Sequence, residues 1–140
     1  MEETLSAVSQ PSTSKATLWT GRIISGLCIL FLLFDAICKI IKEQHAISAS
    51  VALGIPINAI PGIGITLLLC TLVYAIPRTA IWGAVLLTGY LGGAMAIMMR
   101  AGQPVYFALT FGLLVWLGLY LTNAAVRTML KLTTRSTLQR

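Results

Sequence analysis

Asp35 and Lys39 are the one acid–base pair inside the long apolar stretches of this 140-residue chain. They are four residues apart, so on a helix they share a face and can touch. Ser25, Cys28 and Leu32 continue the same stripe. A charge in a membrane helix costs about 2.5–3.5 kcal/mol on insertion scales, so such residues usually face protein or water. One reading of the pair is therefore chemical: it handles a proton, or binds the polar end of a ligand. The other is structural: Lys39 reaches the outer head groups along its apolar stem, and Asp35 pairs with it there. Counted from Trp19, Asp35 lies 16 residues into its apolar run, roughly 24 Å at the helical rise. That places it toward the outer boundary, which favours the structural reading.

The elements that must position this pair are four apolar runs: Trp19–Ile41, Ile57–Ile76, Thr79–Met99 and Pro104–Thr122. A hydrocarbon core of about 30 Å needs roughly 20 helical residues. Each run is about that long. Hydrophobic residues make up 57% of the chain and charged residues only 10%, against roughly 25% charged in soluble domains. A soluble bundle carries polar stripes at a helical period, yet the second and third runs carry no charge at all. Nor do the runs alternate in polarity as the strands of a membrane barrel do. The expected fold is all-α, an integral membrane four-helix bundle over residues 19–126. Residues 1–18 read as a disordered cytoplasmic tail without a cleavable signal, and 127–140 as a basic cytoplasmic tail.

An even number of spans puts both termini on one side. Lys15, Arg22, Arg78, Arg127, Lys131, Arg135 and Arg140 fall there, against Lys39, Lys42 and Arg100 on the other. The positive-inside rule makes the first side cytoplasmic. Trp19, Tyr74, Trp82 and Tyr120 are expected as an aromatic belt at that boundary, with Tyr106 at the outer one. Arg22 and Arg100 are expected to reach opposite head-group regions. The net charge of +6 sits at helix ends and in the last residues, without the interleaved exposed aromatics of a nucleic-acid surface. It reads as orientation and contact with anionic lipid.

Pro77-Arg78 and Gly102-Gln103-Pro104 mark tight turns, so the runs they join are antiparallel neighbours. The first connection is longer, and its ISASVAL segment has the makings of a short helix on the outer surface, ended by Gly54-Ile55-Pro56. Pro61-Gly62-Ile63-Gly64 opens the second span, where a proline costs little. In the third span, Gly89 and Gly93 form a GxxxG, and Gly92 and Ala96 a second small pair. Small residues let helix backbones approach closely, so these four read as a packing seam, either within the molecule or as a dimer face. Tyr90 needs a partner for its hydroxyl, whereas Thr88 can bond to the preceding turn.

No other constellation carries chemistry. Cys28, Cys38 and Cys70 lie in apolar runs without a CxxC, and His45 stands alone in a connection, so no metal site is expected. Paired carboxylates, an activated nucleophile, a P-loop and a dinucleotide fingerprint are all missing from the sequence. Any chemistry needs a bound cofactor or a partner subunit.

Five segments taken in order resemble the DoxX-like family of small bacterial membrane proteins. They are FDAICK, LGIP, PGIGI, IPRTAIWGAVLLTGYLGGA and a W-x-GLYL ending. The resemblance spans roughly Thr20 to Leu130 and is most specific from Pro77 to Ala94. It implies a four-helix bundle in the bacterial cytoplasmic (inner) membrane. The founding relatives are small subunits of an archaeal thiosulfate:quinone oxidoreductase, so it also implies a quinone and a redox partner subunit. Relatives often carry an acidic residue at the position of Leu67, and many a histidine at that of Met98; Asp35, Lys39 and Arg100 remain. Three functions follow as expectations: an accessory subunit of a quinone-linked or oxidative-stress redox system, a scaffold or assembly factor without chemistry, or a small transporter or lipid-binding protein.

Overall fold

The computed structural model describes residues 14–139. Among them the chain is all-helical: α1 (Lys15–Ile40), α2 (Gln44–Ala52), a 3-10 turn (Ile57–Ala59), α3 (Ile60–Ala75), α4 (Ala80–Arg100), α5 (Tyr106–Thr122) and α6 (Ala124–Leu138). α1 starts four residues before Trp19, because the Ser14 hydroxyl accepts a hydrogen bond from the Thr17 N–H and caps it. Lys15–Leu18 thus belong to a helix and not to a disordered tail; the rest of that expected tail lies outside the described residues. Pro61 sits in the first turn of α3, where its missing N–H leaves no bond unmade.

α1, α2 and α4 stop in the same way. The residue after each cap has a positive φ: Lys42 (57°), Gly54 (81°) and Gly102 (69°). The following N–H then reaches back to close the last turn, as from Gln103 to the Met98 carbonyl at 2.8 Å. These stops give the short turns that hold successive helices side by side.

α1 packs on α3 and on α5, and α4 packs on the same two, so α1 and α4 lie diagonally opposite. Leu32, Ala36, Leu67, Ala84, Leu87, Val115 and Leu119 fill the space between the helices. Outward, the same helices present Leu27, Phe34, Leu69, Trp82, Val85 and Leu113, all exposed. An apolar surface this extensive is foreign to a soluble monomer. α1, the stretch Ile57–Ala75 and α4 are each long and apolar enough to cross a membrane. α5 has 17 residues, and α6 bends away from it by 98°. The described part of the basic tail is a helix turned across the axis of α5.

Candidate functional site

The helices are interlocked at one end. Gly83 at the start of α4 meets the backbone of Tyr74 near the end of α3, and Gly21 meets the Leu121 side chain near the end of α5. Gly118 of α5 faces the Ser25 hydroxyl. Tyr74 is only 4% exposed. Its hydroxyl donates to the Val115 carbonyl at 2.9 Å and lies 3.3 Å from Ser25 Oγ. Tyr74 is therefore not the belt residue expected from its place at a span's end; it ties α1, α3 and α5 together. Trp19, Trp82, Tyr106 and Tyr120 are exposed.

Asp35 and Lys39 lie at the other end, in the last turns of α1. Their side chains form an ion pair. The Lys39 side chain is only 17% exposed, less than the 37% of Asp35. A lysine extended along its stem to head groups shows the opposite order. Lys39 is instead partly covered by the neighbouring helices. Gly64 of α3 is what seats it. A Cβ there would stand 2.8 Å from Lys39 Cβ and 2.9 Å from the Ala36 carbonyl, so only glycine lets α3 come this close.

Around the pair the helices part. A cavity of about 270 Å³ is lined by Asp35, Lys39, Leu67, Tyr90 and Met98, among others, and α2 closes one side with Ala46, Ala49, Ser50 and Leu53. A second, of about 320 Å³, adjoins it and shares Lys39, Ser50 and Tyr90. On the far wall Phe31 stacks on Phe111 with ring centroids 4.6 Å apart, and Phe107 meets both rings. Tyr90 lines both cavities. None of the side-chain hydrogen bonds found among the described residues uses its hydroxyl. The chemistry offered is specific in kind: an ammonium, a carboxylate and a phenol at one end of an apolar, aromatic-walled space.

The glycine seam falls in the same place, and within the molecule it is not a seam. A Cβ added at Gly89, Gly92 or Gly93 would meet nothing within 4 Å. Gly89 and Gly93 instead form a wall of the second cavity, and Ala96 is exposed. The close approaches are made by Gly21, Gly64, Gly83 and Gly118. GxxxG spacing puts two small residues on one face, but it does not say whether a helix lies against that face. Thr88 bonds to the Ala84 carbonyl as its sequence position implies, and also accepts from Trp116 Nε1 at 2.8 Å, joining α4 to α5.

α2 forms where ISASVAL was expected to be helical, but Ser50 is buried and the helix closes a cavity. Its cap is Glu43, whose carboxylate accepts the N–H groups of His45 and Ala46 and pairs with His45 Nδ1 at 3.0 Å. These bonds, the one with the His45 ring foremost, hold the Glu43 carboxyl below its ordinary pKa. Cys28 and Cys70 are buried and Cys38 half-buried, all as free thiols.

A family model described as the DoxX-like family matches residues 23–122. The chain belongs to the DoxX-like family. No curated protein and no solved structure matches it. The family and the apolar helices together mark a membrane protein. In this DoxX-like protein Leu67 and Met98 line the cavity that holds Asp35 and Lys39.

Proposed function

We propose that this protein is a multi-pass subunit of the bacterial inner membrane that holds the head group of a lipid-soluble, carbonyl-bearing ligand for a partner oxidoreductase. A quinone is the ligand class this site suits. On this reading the four long helices form a membrane four-helix bundle, and the interlocked end, which carries Arg22, Arg78 and α6, faces the cytoplasm.

One observation carries the proposal. Among the described residues the only ion pair within the long helices, Asp35–Lys39 on α1, lines a cavity with a phenol and an aromatic wall. The donor set fits such a head group. A quinone carbonyl accepts hydrogen bonds, which the Lys39 ammonium and the Tyr90 hydroxyl supply. Its flat ring suits the face of Phe31 and Phe111. Asp35 holds the Lys39 ammonium in place. When bound, the quinone supplies two-electron redox chemistry that no side chain here provides. The protein's own part is to bind, to orient and to keep a proton-bearing group at the carbonyl.

The test is purification from native membranes in mild detergent, followed by extraction of bound quinone. The wild-type protein is expected to retain it. Asp35→Asn and Lys39→Met should insert and fold but retain about tenfold less, the loss of one charge-assisted hydrogen bond. Wild-type protein free of quinone and of any oxidoreductase partner overturns the reading, and so does undiminished retention by both variants.

A second reading, a scaffold or assembly factor, draws on Leu67 and Met98, which leave the cavity with fewer polar groups than relatives are said to have. Deleting the gene should then lower the abundance of a partner protein, with no quinone bound to this one.

A further inference from the structure

α6 turns by 98° after α5 ends at Thr122, and the Asn123 side chain caps the new helix by accepting the Ala125 N–H at 3.0 Å. If α5 crosses a bilayer, α6 runs along its surface. The sequence of α6 matches that position. Arg127, Lys131 and Arg135 recur every four residues, which keeps them within about 80° of arc. Ala125, Val126, Met129, Leu130 and Leu132 occupy the opposite side; Leu138, in the last turn, is the exception. The threonines between them are masked. Thr128, Thr133, Thr134 and Thr137 each donate to a carbonyl of their own helix.

Val126 fixes the rotation of the helix. It is 8% exposed and belongs to the core, so the apolar side of α6 looks back toward the other helices. Further along, Met129 and Leu130 lie within about 60° of Val126 around the helix, at 66% and 51% exposure. They have left the protein core behind. The cations project from the other side of α6, where Lys131 and Arg135 share a groove with Tyr120 of α5.

Among the described residues those cations have no ion-pair partner. Between Glu3 and the C-terminus the only carboxylate side chains are Asp35 and Glu43. Asp35 is paired with Lys39, and Glu43 with His45. The described residues of a second copy offer the same two, already paired, so they do not neutralise α6 either. The partner must be apolar below and anionic above.

We infer that α6 is an interfacial anchor that docks in the head-group layer of the bilayer and selects anionic phospholipid, its apolar side in the acyl boundary and Arg127, Lys131 and Arg135 on phosphate groups. This rests on the helices crossing a membrane and is independent of the ligand proposed for the cavity. An amphipathic helix of low net hydrophobicity with basic residues on its polar face binds in this way, and it responds to lipid charge.

The experiment uses the full chain, with its three cysteines replaced by alanine, in nanodiscs of phosphatidylcholine with or without phosphatidylglycerol. Single cysteines at Met129→Cys and Leu130→Cys report the apolar side, and Thr128→Cys and Thr134→Cys the flanks of the basic side. Each is labelled with a charged, membrane-impermeant maleimide. With phosphatidylglycerol, positions 129 and 130 are expected to label about tenfold slower than 128 and 134. Without it, or with Arg127, Lys131 and Arg135 all changed to glutamine, the contrast should shrink to about twofold. Equal labelling at all four positions overturns the proposal. Slow labelling at all four does so too, because it means burial against protein. A contrast that ignores lipid charge and the glutamine changes removes the selection of anionic lipid. Failure of the chain to enter nanodiscs at all would instead strike the membrane reading itself.

Discussion

The two ends of this molecule are built from the same residue types and used in opposite ways. At the end shared by Gly21, Gly83 and Gly118, glycine removes volume so that another helix can fill it. At the end of Asp35 and Lys39, Gly64 alone is used in that way, while Gly89 and Gly93 remove volume and nothing fills it. Each end also has a tyrosine: Tyr74 is bonded to the Val115 carbonyl, whereas Tyr90 opens onto two cavities. In a membrane, helix association depends on close packing and interhelical hydrogen bonds, since lipid is as apolar as the side chains. One tightly packed end holds the helices in register, and the other end can then stay open around charged groups.

The strongest way to break this contrast is to add one methyl group at each end. At Gly83 a Cβ overlaps the backbone of Tyr74, which cannot rotate away. Gly83→Ala is expected to destabilise the fold by about 3 kcal/mol, at the upper end of overpacking costs. At Gly89 or Gly93 the same change meets open space. It should be neutral, or stabilise by up to about 1 kcal/mol through helix propensity. Unfolding of the purified variants in detergent measures both. Gly89→Leu sharpens the test, because it should leave stability unchanged and still abolish quinone retention by filling the second cavity. A Gly83→Ala protein as stable as wild type would show that the interlocked end is not what holds the fold.

The tyrosines give a smaller and cleaner comparison, since losing a hydroxyl changes almost no volume. Tyr74→Phe removes the interhelical bond to the Val115 carbonyl and the contact with Ser25. The expected cost is about 1 kcal/mol. Tyr90→Phe breaks no bond found among the described residues and should cost no stability. Its effect should appear only in ligand retention, lowered about fivefold to tenfold by one lost hydrogen bond. Equal effects of the two changes on unfolding would mean that Tyr90 is a packing residue like Tyr74.

How much of this was legible in the sequence follows from the kind of signal each feature leaves. The long helices are written in runs of about 20 apolar residues, and the turns in Pro77-Arg78 and Gly102-Gln103-Pro104; both are local. Asp35 and Lys39 were legible as a pair from their spacing, but not in what covers them. What lets α3 cover Lys39 is Gly64, 25 residues away on another helix. The glycines misled for the same reason. A GxxxG describes one helix, and close packing is a property of two. Tyr74 looked like a belt residue because span ends usually lie at interfaces, while its actual role depends on Ser25 and Val115 on two other helices. The bend at Asn123 leaves only a capping residue and a change from apolar to amphipathic pattern, a signal that a basic tail hides.

The last difference between the ends is that only the open one is closed by a short helix with a titrating cap. Glu43 holds the first turn of α2 through the N–H groups of His45 and Ala46, and its carboxyl titrates below the ordinary range. A carboxyl whose folded pKa is depressed stabilises the fold fully above its unfolded value, about 4.3. That stabilisation is lost as pH falls through the lower, folded value. The first turn of α2 should therefore loosen in acid while the interlocked end, which has no carboxylate side chain among the described residues, does not respond. Because Ala46, Ala49 and Ser50 close one side of the cavity, the loosening opens the polar end to solvent. The amide resonance of Ala46 in detergent micelles reports it directly. In the wild type its inflection should fall below the free carboxyl value, and in Glu43→Gln, which keeps an acceptor but not the charge, no inflection should remain. An inflection at or above that value would mean that the carboxylate does not hold these N–H groups, and that α2 is kept in place by its buried face alone.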